Sequence, residues 1–328
     1  MDEGKPRWGG FLRRLKARIP QHPRPTILMY HRIADETFDP WGLSVIPSRF
    51  AEQIAWLRKR RQILSLDEFA NRHRTKTLPE TALALTFDDG YACTAITAAP
   101  ILKTMSIPAT VFIAPDLIDT GREYWWDDLQ RIILSREVAS LSLDGEVVEL
   151  GERRDADDVW RSSQPPSTAR QRAFVQMWTT LKNMRPDRIE RTMESLRQQA
   201  SINSEPRETH RLMNARQVRA LDKATISFGS HSLSHASLTS LPYSEMERHI
   251  RQSAARCETV TGRRAQTFAY PFGDHDAECE KVVEKTGFAS ACTTEQAAVT
   301  ENVSPFAFPR LHVGNWSVAQ LKRALRLL

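Results

Sequence analysis

Short apolar runs of strand length alternate with amphipathic helical stretches along most of this 328-residue chain. That alternation limits the fold more than any other feature. Thr26–Tyr30 (TILMY), Ala82–Phe87 (ALALTF) and Ala109–Ile113 (ATVFI) read as strands. Between the first two, Phe50, Ile54 and Leu57 line one helical face behind Pro47-Ser48, a helix start. A helix through Ile101 and Leu102 separates the second strand from the third. After a long interruption the pattern resumes, with strands at 225–228, 267–270, 288–292 and 311–313 and helices near 245–259, near 278–285 and at the C-terminus. The sequence therefore predicts an α/β fold, a mainly parallel sheet with helical crossovers, open or closed into a barrel. In either form the chemistry belongs at the carboxyl ends of the strands.

The interruption runs over residues 116–210. It contains Tyr124-Trp125-Trp126-Asp127-Asp128 leading into an apolar helical piece at 129–134, and a polar stretch at 151–170 that reads as a loop or a partly ordered segment. The expected organisation is a basic N-terminal segment (1–25), a first part of the α/β domain (26–115), a mostly helical insertion (116–210) and a second part of the domain (211–328).

Lysine and arginine number 46 against 40 acidic residues. Lys5, Arg7, Arg13, Arg14, Lys16, Arg18, Arg24 and Arg32, set against Asp2 and Glu3, account for the whole excess of +6. An excess confined to one tail does not make a nucleic-acid surface, so no nucleic-acid partner is expected despite a pI near 9.3. Trp8, Phe11, Leu12, Leu15 and Ile19 recur at helical spacing among those charges until Pro20. This suits peripheral contact with an anionic lipid surface through residues 7–19, although a helix packed on its own domain or a frayed end explains it as well. Charges interrupt the segment throughout, which excludes a secretory signal. Cys93, Cys257, Cys279 and Cys292 form no C-x-x-C pair, which argues for reduced thiols rather than a cysteine zinc site or a disulfide scaffold. No apolar run approaches the roughly 20 residues that span a bilayer. The expected location is the cytoplasm, at most peripheral to the inner face of a membrane.

Chemistry-bearing residues do stand at strand ends. Thr86-Phe87-Asp88-Asp89-Gly90 places two adjacent carboxylates after a strand, although Asp-Gly by itself is also an ordinary turn. Phe228-Gly229-Ser230-His231-Ser232-Leu233-Ser234-His235 spaces two histidines i, i+4, so that on a helical turn both imidazoles leave one face and can hold one metal ion. With Asp89 the set becomes two histidines and a carboxylate, with open positions that suit metal-assisted hydrolysis. Tyr270-Pro271-Phe272-Gly273 closes a third strand and can present a backbone N–H to an oxyanion. His31 ends the first strand, and Pro309-Arg310-Leu311-His312-Val313 lies near the C-terminus.

Taken together and in this order, T-F-D-D-G, H-S-x-x-H and Y-P-F-G resemble the polysaccharide deacetylases of carbohydrate esterase family 4, which include nodulation-type chitooligosaccharide deacetylases. The resemblance covers about 26–115 and 210–328. It implies a distorted (β/α) barrel and one divalent metal, usually zinc. It further implies Asp88 as general base, Asp89, His231 and His235 as metal ligands, and the N–H of Phe272 at the oxyanion. Two positions depart from the family pattern. The base-orienting arginine of the third motif is replaced by Ala269, and Arg310 is the candidate to supply that guanidinium from elsewhere. The C-terminal L-x-x-H of the general acid is absent, while Leu28-x-x-His31 carries the pattern at the other end. First and last strands of a closed barrel are neighbours, so a circularly rearranged member with His31 as acid is expected, with His312 as the other candidate.

The function so implied is removal of N-acetyl groups from the amino sugars of an oligo- or polysaccharide, chitooligosaccharide-like or lipid-linked. A metal-dependent amidase, deformylase or esterase acting on another acylated sugar is the alternative, as is an inactive carbohydrate-binding homologue. Tyr124, Trp125 and Trp126 suit either the aromatic core of the insertion or a platform for sugar rings.

Overall fold

The computed structural model describes residues 23–135 and 137–328. The basic segment at 7–19 lies outside the described residues. These form two compact units, one from 23–36, 43–121 and 211–328, the other from 37–42 and 122–210.

Twelve strands occur among the described residues. They are β1 (Thr26–Tyr30), β2 (Arg32–Ile33), β3 (Ser44–Val45), β4 (Gln62–Leu64), β5 (Ala82–Phe87), β6 (Ala109–Ile113), β7 (Ser140–Leu143), β8 (Glu146–Glu149), β9 (Ile226–Ser230), β10 (Thr267–Ala269), β11 (Ser290–Cys292) and β12 (Leu311–His312). The first unit carries a sheet ordered β11-β10-β9-β6-β5-β1-β12, with β4 added beside β5, and its registered pairs are all parallel. The open side is bridged by the chain approaching β12. Phe308 pairs with Cys292, its N–H donating to Ala291 O at 2.9 Å, and Thr293 N–H donates to Phe308 O at 2.8 Å. The sheet thus curls into a (β/α) barrel in which β1 lies between β5 and β12.

Alternation along each strand sorts side chains into two layers. Leu28, Tyr30, Leu83, Leu85, Phe87, Val111, Ile113, Phe228, Phe268, Leu311 and Val313 face the surrounding helices and form the main core. Ile27, Ala84, Phe112, Ala269, Cys292 and Phe308 face inward and plug the barrel floor. Helix Pro47–Arg58 starts with proline in its first turn, where the missing N–H costs no helical bond. It buries Phe50, Ile54 and Leu57 completely. Phe50 meets Tyr30 and Phe87 at ring separations of 5.3 and 5.8 Å, which locks this helix across β1 and β5. Burial of such a side chain contributes roughly 1.5–3 kcal/mol.

The second unit packs helices Trp125–Ser135, Ala169–Lys182 and Pro186–Gln199 with the antiparallel hairpin β7–β8. Tyr124 and Trp126 are buried and stacked at 4.2 Å, so these two rings are core, while Trp125 stays partly exposed. The polar stretch at 151–170 is more ordered than its composition suggests. It contains helix Asp155–Val159, and Thr168 Oγ1 caps the next helix by accepting from Gln171 N–H at 3.1 Å. No helix among the described residues is long and apolar enough to cross a membrane, and the four cysteines are buried and unpaired.

Candidate active site

The two-residue period of the strands decides which side chains meet. Leu83, Leu85 and Phe87 face the helices, so Ala84, Thr86 and Asp88 face inward. By the same rule His31 follows Ile27 and Met29, His231 follows Gly229, and Arg310 and His312 alternate with outward Leu311 and Val313. The ladder continues past the strand ends, with Asp88 N–H donating to Tyr30 O and His231 N–H to Ile113 O, each at 2.9 Å. His31, Asp88, His231, Arg310 and His312 thus face one another near the carboxyl ends of β1, β5 and β9.

Alternation alone would turn Asp89 outward. Its φ of +72°, followed by Gly90 at +68°, bends the chain through left-handed space and returns the second carboxylate to the inner side. Glycine adopts this freely, whereas for an aspartate it costs on the order of 1 kcal/mol. Asp89 Oδ1 then lies 3.5 Å from His231 Nε2 and 3.2 Å from His235 Nε2, all three residues being buried. Their ligand atoms lie within 4.8 Å of one another. His231 Nδ1 is 2.7 Å from Ala269 O. A carbonyl only accepts, so Nδ1 carries a proton and Nε2 is the ring atom turned toward Asp89. Two imidazole nitrogens and one carboxylate oxygen around a point fit a divalent cation of the zinc class, with positions to spare. Burial pushes Asp89 up, but hydrogen bonds to His231 and His235 outweigh it and hold the carboxyl well below its usual range.

The histidines do not lie on a helical turn as their spacing predicts. His231 extends β9, where a helix would carry it out of the ladder; residues 232–234 form a turn, with left-handed φ values at Ser232 (+60°) and, just after it, at His235 (+58°). The loop is tied down by Ser237 Oγ donating to Asp274 Oδ2 at 2.8 Å.

Arg310 lies fully buried beneath Asp88. Its Nη1 and Nη2 donate to Asp88 Oδ1 and Oδ2, both at 2.7 Å, Nη1 also reaches Thr86 Oγ1 at 3.1 Å, and Nε donates to Thr293 O at 2.8 Å. The Thr86 hydroxyl passes its own hydrogen to Leu28 O at 2.8 Å. Burial alone would raise Asp88; the fork of Arg310 and the nearby His231 reverse this and keep the carboxyl below its ordinary value. Arg310 thus brings a guanidinium to Asp88 from outside the third motif, and the carbonyl of Ala269 instead meets His231 Nδ1. Thr86 stands in the T-F-D-D-G motif, but nothing in the sequence assigned it a role beyond that, and Thr293 was not singled out at all.

His31 and His312 meet edge to face, ring centroids 5.4 Å apart at 80°. Burial lowers His31, and the carboxylates of Asp89 and Asp88 partly offset that. Loss of water around the ring pushes His312 down to about 3, with His31 adding to the shift. Phe272 adopts φ +59°, and its ring packs against His235 at 4.5 Å and 89°.

Comparison with known proteins agrees with this geometry. The sequence profile of polysaccharide deacetylase matches residues 75–145 and 178–291. The chain is 32% identical over 144 residues to a poly-beta-1,6-N-acetyl-D-glucosamine N-deacetylase of Escherichia coli O157:H7, a stretch covering 38% of this chain and 21% of that protein. The homologue from Escherichia coli strain K12 is 34% identical over 128 residues, or 34% and 19% of the two chains. The chain thus spans about a fifth of the length of these relatives. Among solved structures, the fold is similar to the Streptococcus pyogenes deacetylase PplD, solved in complex with acetate, at a TM-score of 0.61 and 15% identity over 93% of this chain and 99% of that one. IcaB from Ammonifex degensii gives 0.58 and 15% over 93% and 98%. With its profile matched over more than half its length and its barrel shared with these structures, the chain belongs to the polysaccharide deacetylase family.

Proposed function

We propose that this chain hydrolyses N-acetyl groups on the amino sugars of an oligo- or polysaccharide and that it depends on one divalent metal, zinc by preference. The observation that carries the proposal is the pairing, at one barrel mouth, of an arginine-braced Asp88 with the Asp89–His231–His235 cluster. Asp89, His231 and His235 hold the ion, which when bound supplies polarisation of the amide carbonyl and acidification of the attacking water. Asp88, kept ionised and immobile by Arg310, accepts the proton of that water. A carboxylate held this low is a weak base and suffices only for an acidified proton donor. The backbone N–H of Phe272 helps hold the oxyanion, a contribution of about 2.7–4 kcal/mol where such donors have been removed. An amine leaves poorly until protonated, and His31 delivers that proton from the opposite side. Because β1 carries His31 at the start of the chain and still lies between β5 and β12, a circularly rearranged order of the family's strands accounts for the missing C-terminal histidine motif.

The β-1,6-linked N-acetylglucosamine polymer named for the Escherichia coli relatives is the first substrate to assay, beside β-1,4-linked chitooligosaccharides. Acetate release that disappears with chelator and returns with Zn²⁺ is expected. Release from an O-acetyl or N-formyl sugar alone would move the chain to the esterase or deformylase reading, and chelator-resistant release would remove the metal.

A further inference from the structure

The reaction above leaves one ring beside the general acid without a part. His312 sits on β12 opposite Met29 of β1, and two residues beyond Met29 stands His31, on the same inward side. The His312 backbone is pinned. Its N–H donates to Gln296 Oε1 at 3.1 Å, Gln296 Nε2 donates to Thr294 O at 3.3 Å, and the next N–H, that of Val313, donates to Met29 O at 3.0 Å. His31 is less constrained. Its residue is only 8% exposed, yet its Nδ1 has no hydrogen-bond partner, so no polar contact at that atom fixes the plane of the ring. The edge-to-face contact with His312 at 5.4 Å does act on that plane.

We propose that His312 is a positioning residue: its ring holds the His31 imidazole in the orientation from which it protonates the leaving amine. This rests on the assignment of His31 as acid. An edge-to-face pair favours one ring arrangement by about two- to tenfold, which sets the size of the expected effect.

The test uses the full metal-loaded chain and two substrates. N-acetylglucosamine oligomers need a proton on the departing nitrogen; an aryl acetate does not, because its phenolate leaves unaided. His312→Ala is expected to lose about two- to tenfold in kcat on the oligomers. KM and metal content should hold, and aryl acetate turnover should stay within about twofold. His312→Phe, which restores a ring edge without a nitrogen, should recover most of the loss. His31→Ala should lose about 10²–10⁴-fold on the oligomers, and the double variant His31→Ala/His312→Ala should be no worse. Equal losses on both substrates, or lost metal, would reduce His312 to general structural support and overturn the proposal. So would unimpaired His312→Ala. Additive losses in the double variant would also overturn it. An active His31→Ala together with His312→Phe as impaired as His312→Ala would make His312 the acid while deacetylation stood. A wild-type chain releasing no acetate from any oligomer would overturn the deacetylase reading itself, and this proposal with it.

Discussion

At the scale of single residues, the proposed mechanism gives the two adjacent aspartates separable tasks. Asp88→Asn should retain metal and lose about 10²–10⁴-fold in turnover, whereas Asp89→Asn should lose metal first; metal content by plasma spectrometry beside acetate release distinguishes them. Arg310 makes a further prediction. Removing one member of a buried ion pair strands the other, at a cost of about 3–5 kcal/mol, so Arg310→Met should lower the urea midpoint of unfolding as well as the rate. A titratable group away from the site sets an acid limit on the fold. His249 is 3% exposed, and burial, with Arg248 adding to it and Asp116 and Glu245 opposing, lowers it to about 4 from 6.5. Its folded value lies below its unfolded one, so the unfolded chain takes up the proton first. Stability should therefore be intact above about pH 6.5 and fall as pH drops toward 4, by at most about 3 kcal/mol. His249→Leu should flatten that limb in denaturation curves recorded at several pH values.

At the scale of elements, the strands were legible because they are short apolar runs, and in some of them the inward face turns polar at the carboxyl end. Pro309-Arg310-Leu311-His312-Val313 alternates openly, and β5 does so up to Asp88. The turns were less legible. Asp89, Ser232, His235 and Phe272 reach their places through left-handed backbone, which periodicity does not encode for residues other than glycine. The insertion reads as mostly helical, but the individual helices at 169–182 and 186–199 were harder to place, for another reason. Arg170 and Arg197 are buried in them, and Asp127 and Asp128 are buried in the neighbouring helix, so the apolar stripes are broken. Arg170 is satisfied by Ile133 O and Val138 O, and Asp128 by Arg131 and Arg197, contacts visible only once the helices are packed. One turn makes a test. Gly273 adopts φ +79°, and a Cβ there would lie 2.0 Å from Thr294 Oγ1. Gly273→Ala should displace the Phe272 turn and depress kcat with little change in metal content; a fully active variant would separate that turn from the oxyanion.

At the scale of the molecule, a cation binding only the folded barrel adds its binding energy to folding. Zn²⁺ at about a hundred times its dissociation constant should stabilise the chain by about 2.7 kcal/mol, read as a rise in melting temperature that chelator reverses. Asp89→Asn should abolish the rise. The barrel's closure has a temporal consequence. β12 docks against β1, and the chain at that strand supplies both Arg310, the counterion of Asp88, and His312, the neighbour of His31. During synthesis, Asp88 therefore emerges from the ribosome more than two hundred residues ahead of Arg310. Until then a carboxylate destined for the interior has no cation to meet. A nascent chain stalled before this point is expected to lack the Asp88–Arg310 pair, and Asp88→Asn should change the stability of such a truncated chain less than that of the full one.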